Sequence, residues 1–140
     1  MAESIVEVFI DGASSGNPGP AGVGVVFLDA HGQPAATFKH YVGEATNNVA
    51  EYLALIYALQ EAQARGWRRL AVKTDSELLA RQVAGTYKVR NSALRALHEQ
   101  IQHARRGFDD LQVQHVSRTL NKEADRLARQ AVRSRRDSVI

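Results

Sequence analysis

Apolar and polar positions follow two rhythms along the chain, one of period two and one near three and a half. Residues 4–11, SIVEVFID, are apolar on both alternation sets, as expected of a central strand covered on two faces. GVGVVFLD (22–29) and AATFKHYV (35–42) read as further strands separated by AHGQP, so the first 43 residues predict an antiparallel meander. The glycine-rich stretch DGASSGNPGPAG (11–22) is expected as a wide hairpin loop. A helix over 47–65 follows, then a strand RLAVKTD (69–75) and a helix opening at SELLARQV (76–83). After the break AGTYKVRN come a helix at SALRALHEQIQHARR (92–106), a strand LQVQHVS (111–117) and a last helix after Asn121. The order βββαβααβα predicts an α/β fold: a mixed sheet with helices on its faces, the later strands parallel to the first because helices make the crossovers.

One helix has a defect. In TNNVAEYLALIYALQEA the apolar stripe runs back through Ala62, Leu59, Ala58 and Leu55, and the next i−4 step lands on Glu51. A carboxylate on the face to be buried needs a reason. The other acids supply one. Asp11 closes the first strand and Asp75 the fourth, and parallel strands end on one edge of a sheet. Glu51 in the opening turns of the first long helix and Asp125 early in the last can converge on that edge. Taken singly, each acid has a local explanation: Asp75 or Ser76 as a helix cap, Asp125 paired with Arg129 at i+4, Asp11 in an Asx-turn. Together they would repel one another unless a cation lies between them.

Composition narrows the chemistry. The 140 residues, 44% of them hydrophobic, suit a single domain over 1–135, with 136–140 expected as a flexible tail. No apolar run is long enough to span a bilayer, and an acid stands in MAESIVEVFIDGA where a signal peptide needs positive charge, so a soluble, cytoplasmic monomer without membrane contact is expected. Without cysteine, any metal must be held by oxygen or imidazole. Four carboxylates select hard ions, Mg²⁺ or Mn²⁺, and suffice for two of them. The glycine-rich stretch has no G-K-[ST] and leads into a strand, which excludes a P-loop and a dinucleotide fingerprint. Charge is uneven: residues 1–60 hold one lysine against six acids, and residues 61–140 hold seventeen Lys and Arg against nine acids. Fourteen of the eighteen basic residues are Arg, which suits either a solvated surface or a polyanionic partner.

The blocks FIDGASSGNPGPAGVGVV, TNNVAEYLALIYAL, KTDSELL and HVSRTLNKEADRLA, in that order, resemble the signature blocks of ribonuclease H type 1 over nearly the whole chain. The resemblance implies a five-stranded sheet of order 3-2-1-4-5 and places the family's carboxylate quartet on Asp11, Glu51, Asp75 and Asp125. It implies endonucleolytic, two-metal hydrolysis of the RNA strand of an RNA/DNA hybrid, leaving 5′-phosphate and 3′-hydroxyl ends. Double-stranded RNA is a further substrate of some short relatives. It assigns reading of the 2′-hydroxyl and the minor groove to Asn17, Asn47 and Asn48 with the backbone of Gly12, Ala13 and Ser14. Thr46 matches a residue that binds a phosphate of the DNA strand, and Glu77 stands where many relatives carry Gln. The rival reading is a non-catalytic hybrid-binding module of the same fold, which the presence of all four acids disfavours.

Two departures separate the chain from many bacterial relatives. Their mobile-loop histidine is missing from SRTLNK; His115, the nearest, is expected packed inside a strand. Arg118 resembles instead the arginine of the short, archaeal-like branch, where a fixed cation serves the phosphate. The basic protrusion is also missing. GTYKVRN offers a tight connection bearing Tyr87, Lys88 and Arg90, with Lys88 and Arg90 expected to touch the substrate backbone, and no hybrid-binding module is expected ahead of residue 1.

Overall fold

Val8 and Ile10 are fully buried on one side of the first strand, while its other side carries Glu7, Phe9 and Asp11. A computed structural model of the chain, describing residues 5–135 and 138–139, shows how both sides come to be used. Strand β1 (Val6–Ser14) pairs antiparallel with β2 (Gly19–Leu28), which pairs antiparallel with β3 (Pro34–Ala45). On the other edge of β1 lies β4 (Arg69–Thr74), parallel to it, and then β5 (Asp110–His115), parallel to β4. The five main strands therefore stand in the expected order 3-2-1-4-5. A two-residue strand β6 (Ser138–Val139) adds to β3 opposite Phe38 and Lys39. Of the expected tail, residues 136, 137 and 140 lie outside the described residues.

The helices are α1 (Asn47–Ala64), α2 (Glu77–Ala84), α3 (Ser92–Arg105) and α4 (Lys122–Ser134), with a 3-10 turn at Arg118–Leu120. Each of the first three opens on a side-chain cap that satisfies one orphan amide: Thr46, Ser76 and Asn91 accept from Val49, Leu79 and Leu94 respectively. The main core lies on the α1 side of the sheet, where Val8, Ile10, Val23 and Val25 meet Tyr52, Leu55 and Leu59. On the opposite face α4 lies against β2. Among the described residues no helix is long and apolar enough to cross a membrane.

The expected hairpin loop is much shorter than its glycines suggest. β1 and β2 stay paired out to Ser14 and Ala21, leaving four residues, 15–18, to make the connection. Asp11 consequently lies inside β1, though it stands just past the last pair, Ile10 and Thr74, that β1 makes with β4. The small residues are there because helices lie on them. A Cβ on Gly12 would fall 2.3 Å from the carbonyl carbon of Ala50 in α1, and one on Gly24 would fall 2.2 Å from the carbonyl oxygen of Ala124 in α4. Gly24 is the cross-strand partner of Asp11, so α4 reaches the sheet at the level of that acid.

Gly24→Ala should push α4 off the sheet. Overpacking of this kind costs about 2–3 kcal/mol, which for a chain of this size lowers the melting temperature by roughly 5–10 °C. Calorimetry checks this expectation.

Candidate active site

Register brings the first two acids together. Ile10 pairs with Thr74 in the parallel β1–β4 ladder, so the residues that follow them, Asp11 and Asp75, leave the same sheet edge side by side. Glu51, in the second turn of α1, is buried, and its Oε1 accepts a hydrogen bond from the Gly12 amide at 2.5 Å. One oxygen from each of Asp11, Glu51 and Asp75 lies within 4.8 Å of the others. Asp125 approaches from α4 and is close enough to Asp11 to act on its ionisation. Its Oδ1 also accepts from Arg129 Nε at 3.0 Å, the local i+4 pair that spacing allows. All four predicted carboxylates thus face one cleft of about 610 Å³.

The electrostatics of this cluster oppose ionisation. Burial pushes the Asp11 carboxyl far above the usual carboxylate range, and the charges of Glu51 and Asp75 push it further. Glu51 is also raised, by burial first, with the hydrogen bonds from Asp11 and the Gly12 amide and the charge of Arg118 pulling the other way. Two buried acids that resist charging, aimed with a third at a common point, form an oxygen-only donor set. That set suits a hard divalent cation and offers no ligand to a soft one.

Arg118 opens the 3-10 turn before α4. Its side chain is 83% exposed, and its Nε lies 3.6 Å from Asp75 Oδ2. His115 does not occupy the packed position expected of it. It ends β5 on the same alternation set as Leu111 and Val113, but it is the last residue of an edge strand and is exposed.

The polar residues at the mouth are partly committed to holding the cleft. Asn17 Oδ1 accepts from the Asn47 amide at 3.0 Å, and Asn47 Oδ1 accepts from the Ser14 amide at 2.9 Å, so the start of α1 is tied to the β1–β2 connection. Ser14 Oγ donates to the Ala45 carbonyl. The amides of Gly12 and Ser14 are therefore engaged within the protein. Ala13 and Asn48 line the cleft. Thr46 caps α1, and Glu77, exposed on α2, lies 3.7 Å from Arg81; neither lines the cleft. Lys88 and Arg90 are exposed outside it, on the α2–α3 connection.

Sequence reasoning passed over several residues that line the cleft, notably Ser15, Ser76, Arg129 and Arg133. It also passed over Asn121. That side chain is buried at the start of α4, and its Nδ2 donates to the Ile10 carbonyl at 2.8 Å, binding the helix of Asp125 to the residue before Asp11. Its place one helical turn ahead of Asp125 was the available signal.

With this geometry in hand, the likeness to known proteins has a physical meaning. A family model described as reverse transcriptase-like matches residues 9–131. Ribonuclease HI of Halobacterium salinarum is 40% identical over 127 residues, covering 91% of this chain and 64% of that protein. The chain spans 35% of the mycobacterial relatives it matches at 42% identity. Among solved structures, the type 1 ribonuclease H of Halobacterium salinarum superposes with a TM-score of 0.91 at 39% identity, covering 94% of this chain and 99% of that one. LC11-RNase H1, solved in complex with an RNA/DNA hybrid, gives 0.88 at 38% identity, covering 93% and 98%. A match of this extent, on a sheet whose central edge gathers four carboxylates, means that the chain belongs to the ribonuclease H family, type 1.

Proposed function

We propose that the chain is an endoribonuclease that hydrolyses the RNA strand of RNA/DNA hybrids with the help of two divalent cations, Mg²⁺ or Mn²⁺, leaving 5′-phosphate and 3′-hydroxyl ends. The observation that carries the reading is the convergence of Asp11, Glu51 and Asp75 to within 4.8 Å, with Asp125 beside Asp11. The hybrid seen with LC11-RNase H1 supports the choice of substrate class. Bound cations would neutralise charge on the phosphate and make water a competent nucleophile at neutral pH.

The chain's own groups do the positioning. Asp11, Glu51 and Asp75 hold the cations, and the Gly12 amide fixes the rotamer of Glu51. Asp125 completes the set from α4. Arg118 is joined to Asp75 only by a long contact on an exposed side chain, a pair of the kind worth at most about 1 kcal/mol. Its guanidinium is therefore free to exchange that carboxylate for a phosphate oxygen, where a fixed planar cation stabilises charge as it builds on the leaving oxygen. The side-chain amides of Asn17, Asn47 and Asn48, at the mouth of the cleft, can donate to and accept from a 2′-hydroxyl, which DNA lacks. A binding module without chemistry would have no use for a cluster of buried acids. Duplexes of RNA/DNA, RNA/RNA and DNA/DNA of one sequence, incubated with Mg²⁺, Mn²⁺ or EDTA, test the reading: cleavage of the hybrid but not of DNA/DNA, and only with metal, is expected, and the RNA/RNA arm reads whether double-stranded RNA is a further substrate. An intact hybrid in every metal overturns it.

Asp11→Asn should abolish turnover while the protein stays folded. The acid's native pKa is raised above its unfolded value, so the native state holds a proton that the unfolded chain releases. That linkage costs stability as pH rises above the ordinary carboxylate range near about 4. In EDTA the variant should therefore melt higher than the wild type, with the gap widening from pH 5 to pH 8 and closing when Mg²⁺ is restored to the wild type. A gap that stays constant with pH would remove the electrostatic account of the cluster.

Arg118→Ala should lower kcat on the order of 10², the effect of losing one preorganised donor, with little change in KM. Lys at 118 should recover part of the loss, since a point charge lacks the guanidinium fork. His115→Ala, measured alongside, should be nearly silent. The reverse ranking would transfer the phosphate-side role to His115, whose exposure at the end of β5 leaves it accessible.

A further inference from the structure

We propose that Gln82 is a positioning residue for substrate binding, holding the α2–α3 connection, with its exposed Lys88 and Arg90, at a set distance from the helix that carries Glu51. The inference rests on the hybrid-cleaving reading above, together with the expectation from the sequence that those two cations touch the hybrid backbone.

Gln82 is a polar side chain only 5% exposed, and its place on α2 is one where an apolar residue would ordinarily pack, between Leu79 and Val83. Both ends of its amide are used. Tyr52 Oη, on the buried face of α1, donates to Gln82 Oε1 at 2.5 Å. Gln82 Nε2 donates to the backbone carbonyl of Lys88 at 3.1 Å. From α3, His98 Nε2 donates to the Gln82 carbonyl at 3.0 Å. One residue therefore joins α1, α2, α3 and the connection between the last two. Tyr52 is the neighbour of Glu51 in α1.

The connection has little else to hold its middle. Its first residues hang from the end of α2, where the Arg81 carbonyl accepts from the Thr86 amide and hydroxyl and the Arg81 guanidinium lies 5.3 Å from the Tyr87 ring centroid. Its last residue, Asn91, caps α3. Between these anchors Val89 packs inward on the core, flanked by exposed Lys88 and Arg90. The only bond that ties the backbone of this extended stretch to the interior, among those described, is the one from Gln82 to Lys88. A buried amide is costly unless both its ends are satisfied, and here satisfaction requires that the connection and α1 keep their spacing. Two phosphate-binding cations are thereby referenced to the carboxylates through one side chain. A hybrid seated on them meets the cleft in a fixed register.

The test is a double-mutant cycle. Gln82→Met keeps the volume and removes both bonds; Tyr52→Phe removes one hydroxyl and serves if Gln82→Met folds poorly. Hybrid affinity is measured against salt in EDTA, kcat is measured with Mg²⁺ at saturating hybrid, and melting is followed for each protein. Gln82→Met should weaken hybrid binding on the order of threefold to tenfold and flatten the slope of log K against log salt by about one contact at most. Its kcat should stay within about twofold of the wild type. Tyr52→Phe should shift affinity in the same direction by less. In a Lys88→Ala/Arg90→Ala background, Gln82→Met should cost no further affinity, because it acts through those cations. A Gln82→Met protein that melts lower yet binds hybrid normally has lost only packing, and overturns the proposal. So does a loss of affinity that persists undiminished in the double-alanine background. Normal binding by Lys88→Ala/Arg90→Ala itself would remove the substrate contact from the connection, and the proposal with it. A wild-type protein that cleaves no hybrid with either metal would instead contradict the enzymatic reading, and shows in kcat alone.

Discussion

Two helix backbones lie closer to the central strands than any Cβ would allow, and the site is a consequence of that closeness. On one face, the missing side chain of Gly12 admits Ala50, so that the next residue of α1, Glu51, reaches the strand and takes the Gly12 amide. On the other face, the missing side chain of Gly24 admits Ala124, and the next residue of α4 is Asp125. Gly24 faces Asp11 across the β1–β2 ladder. Each helix therefore delivers a carboxylate to the level of Asp11, one from each side of the sheet, and the parallel pairing with β4 brings Asp75 beside it. No loop has to be ordered to assemble these four groups. Asp11, Glu51 and Asp125 ride on a strand and two helices, and Asp75 directly follows the last residue of β4, so positional error is small.

This arrangement is electrostatically unfavourable, and the rest of the fold absorbs the cost. Burial is the leading cause of the raised pKa of both Asp11 and Glu51, ahead of repulsion by Glu51 and Asp75 on the first and by Asp75 on the second. The favourable terms nearby are modest: one amide on Glu51, an exposed arginine near Asp75, another on Asp125. Against them stands a continuous apolar core on the α1 side, in which Tyr52, Leu55 and Leu59 are almost wholly buried on the same helix that carries Glu51. Burial of three such side chains contributes about 5–9 kcal/mol, enough to hold the helix down while its one charged inward residue resists. Asn121 does similar work on the opposite face through the Ile10 carbonyl, leaving its own Oδ1 without a partner.

Much of this was legible in the chain because two simple rules sufficed. Parallel strands end on a common edge, which placed Asp11 next to Asp75. A helix stripe with a misplaced charge implies a site, which placed Glu51 in it. What escaped depended on which surface each residue would meet. Gly22 and Gly24 read as strand residues of GVGVVFLD, but periodicity cannot see that a helix will cross the strand above them. His115 read as packed because alternation is blind to a strand's being at the sheet edge. Gln82 could have been found: it interrupts the buried stripe of α2 between Leu79 and Val83 as Glu51 interrupts that of α1. The difference is that a neutral amide inside a helix excites less suspicion than a charge, although burying either requires partners.

The unequal charge of the two halves of the chain also acquires a place. Acids from the first 75 residues, Asp11, Glu51 and Asp75, form the floor of the cleft, whereas the arginines lining its wall, Arg118, Arg129 and Arg133, all come from the last quarter. Chain order gives the separation, since α4 is the last helix in sequence and its first turn crosses the sheet at the level of Asp11. A polyanion approaching the cleft meets guanidinium groups before carboxylates. Without them, the negative floor would repel an incoming phosphate, because unscreened like charges within a Debye length of about 8 Å raise the cost of every encounter. Arg118 and Arg129 are exposed and paired only at the surface, so each can turn from an acid to a phosphate at little cost. The same side chains that soften the repulsion among the acids in the free protein are thus the ones placed to receive the substrate's charge.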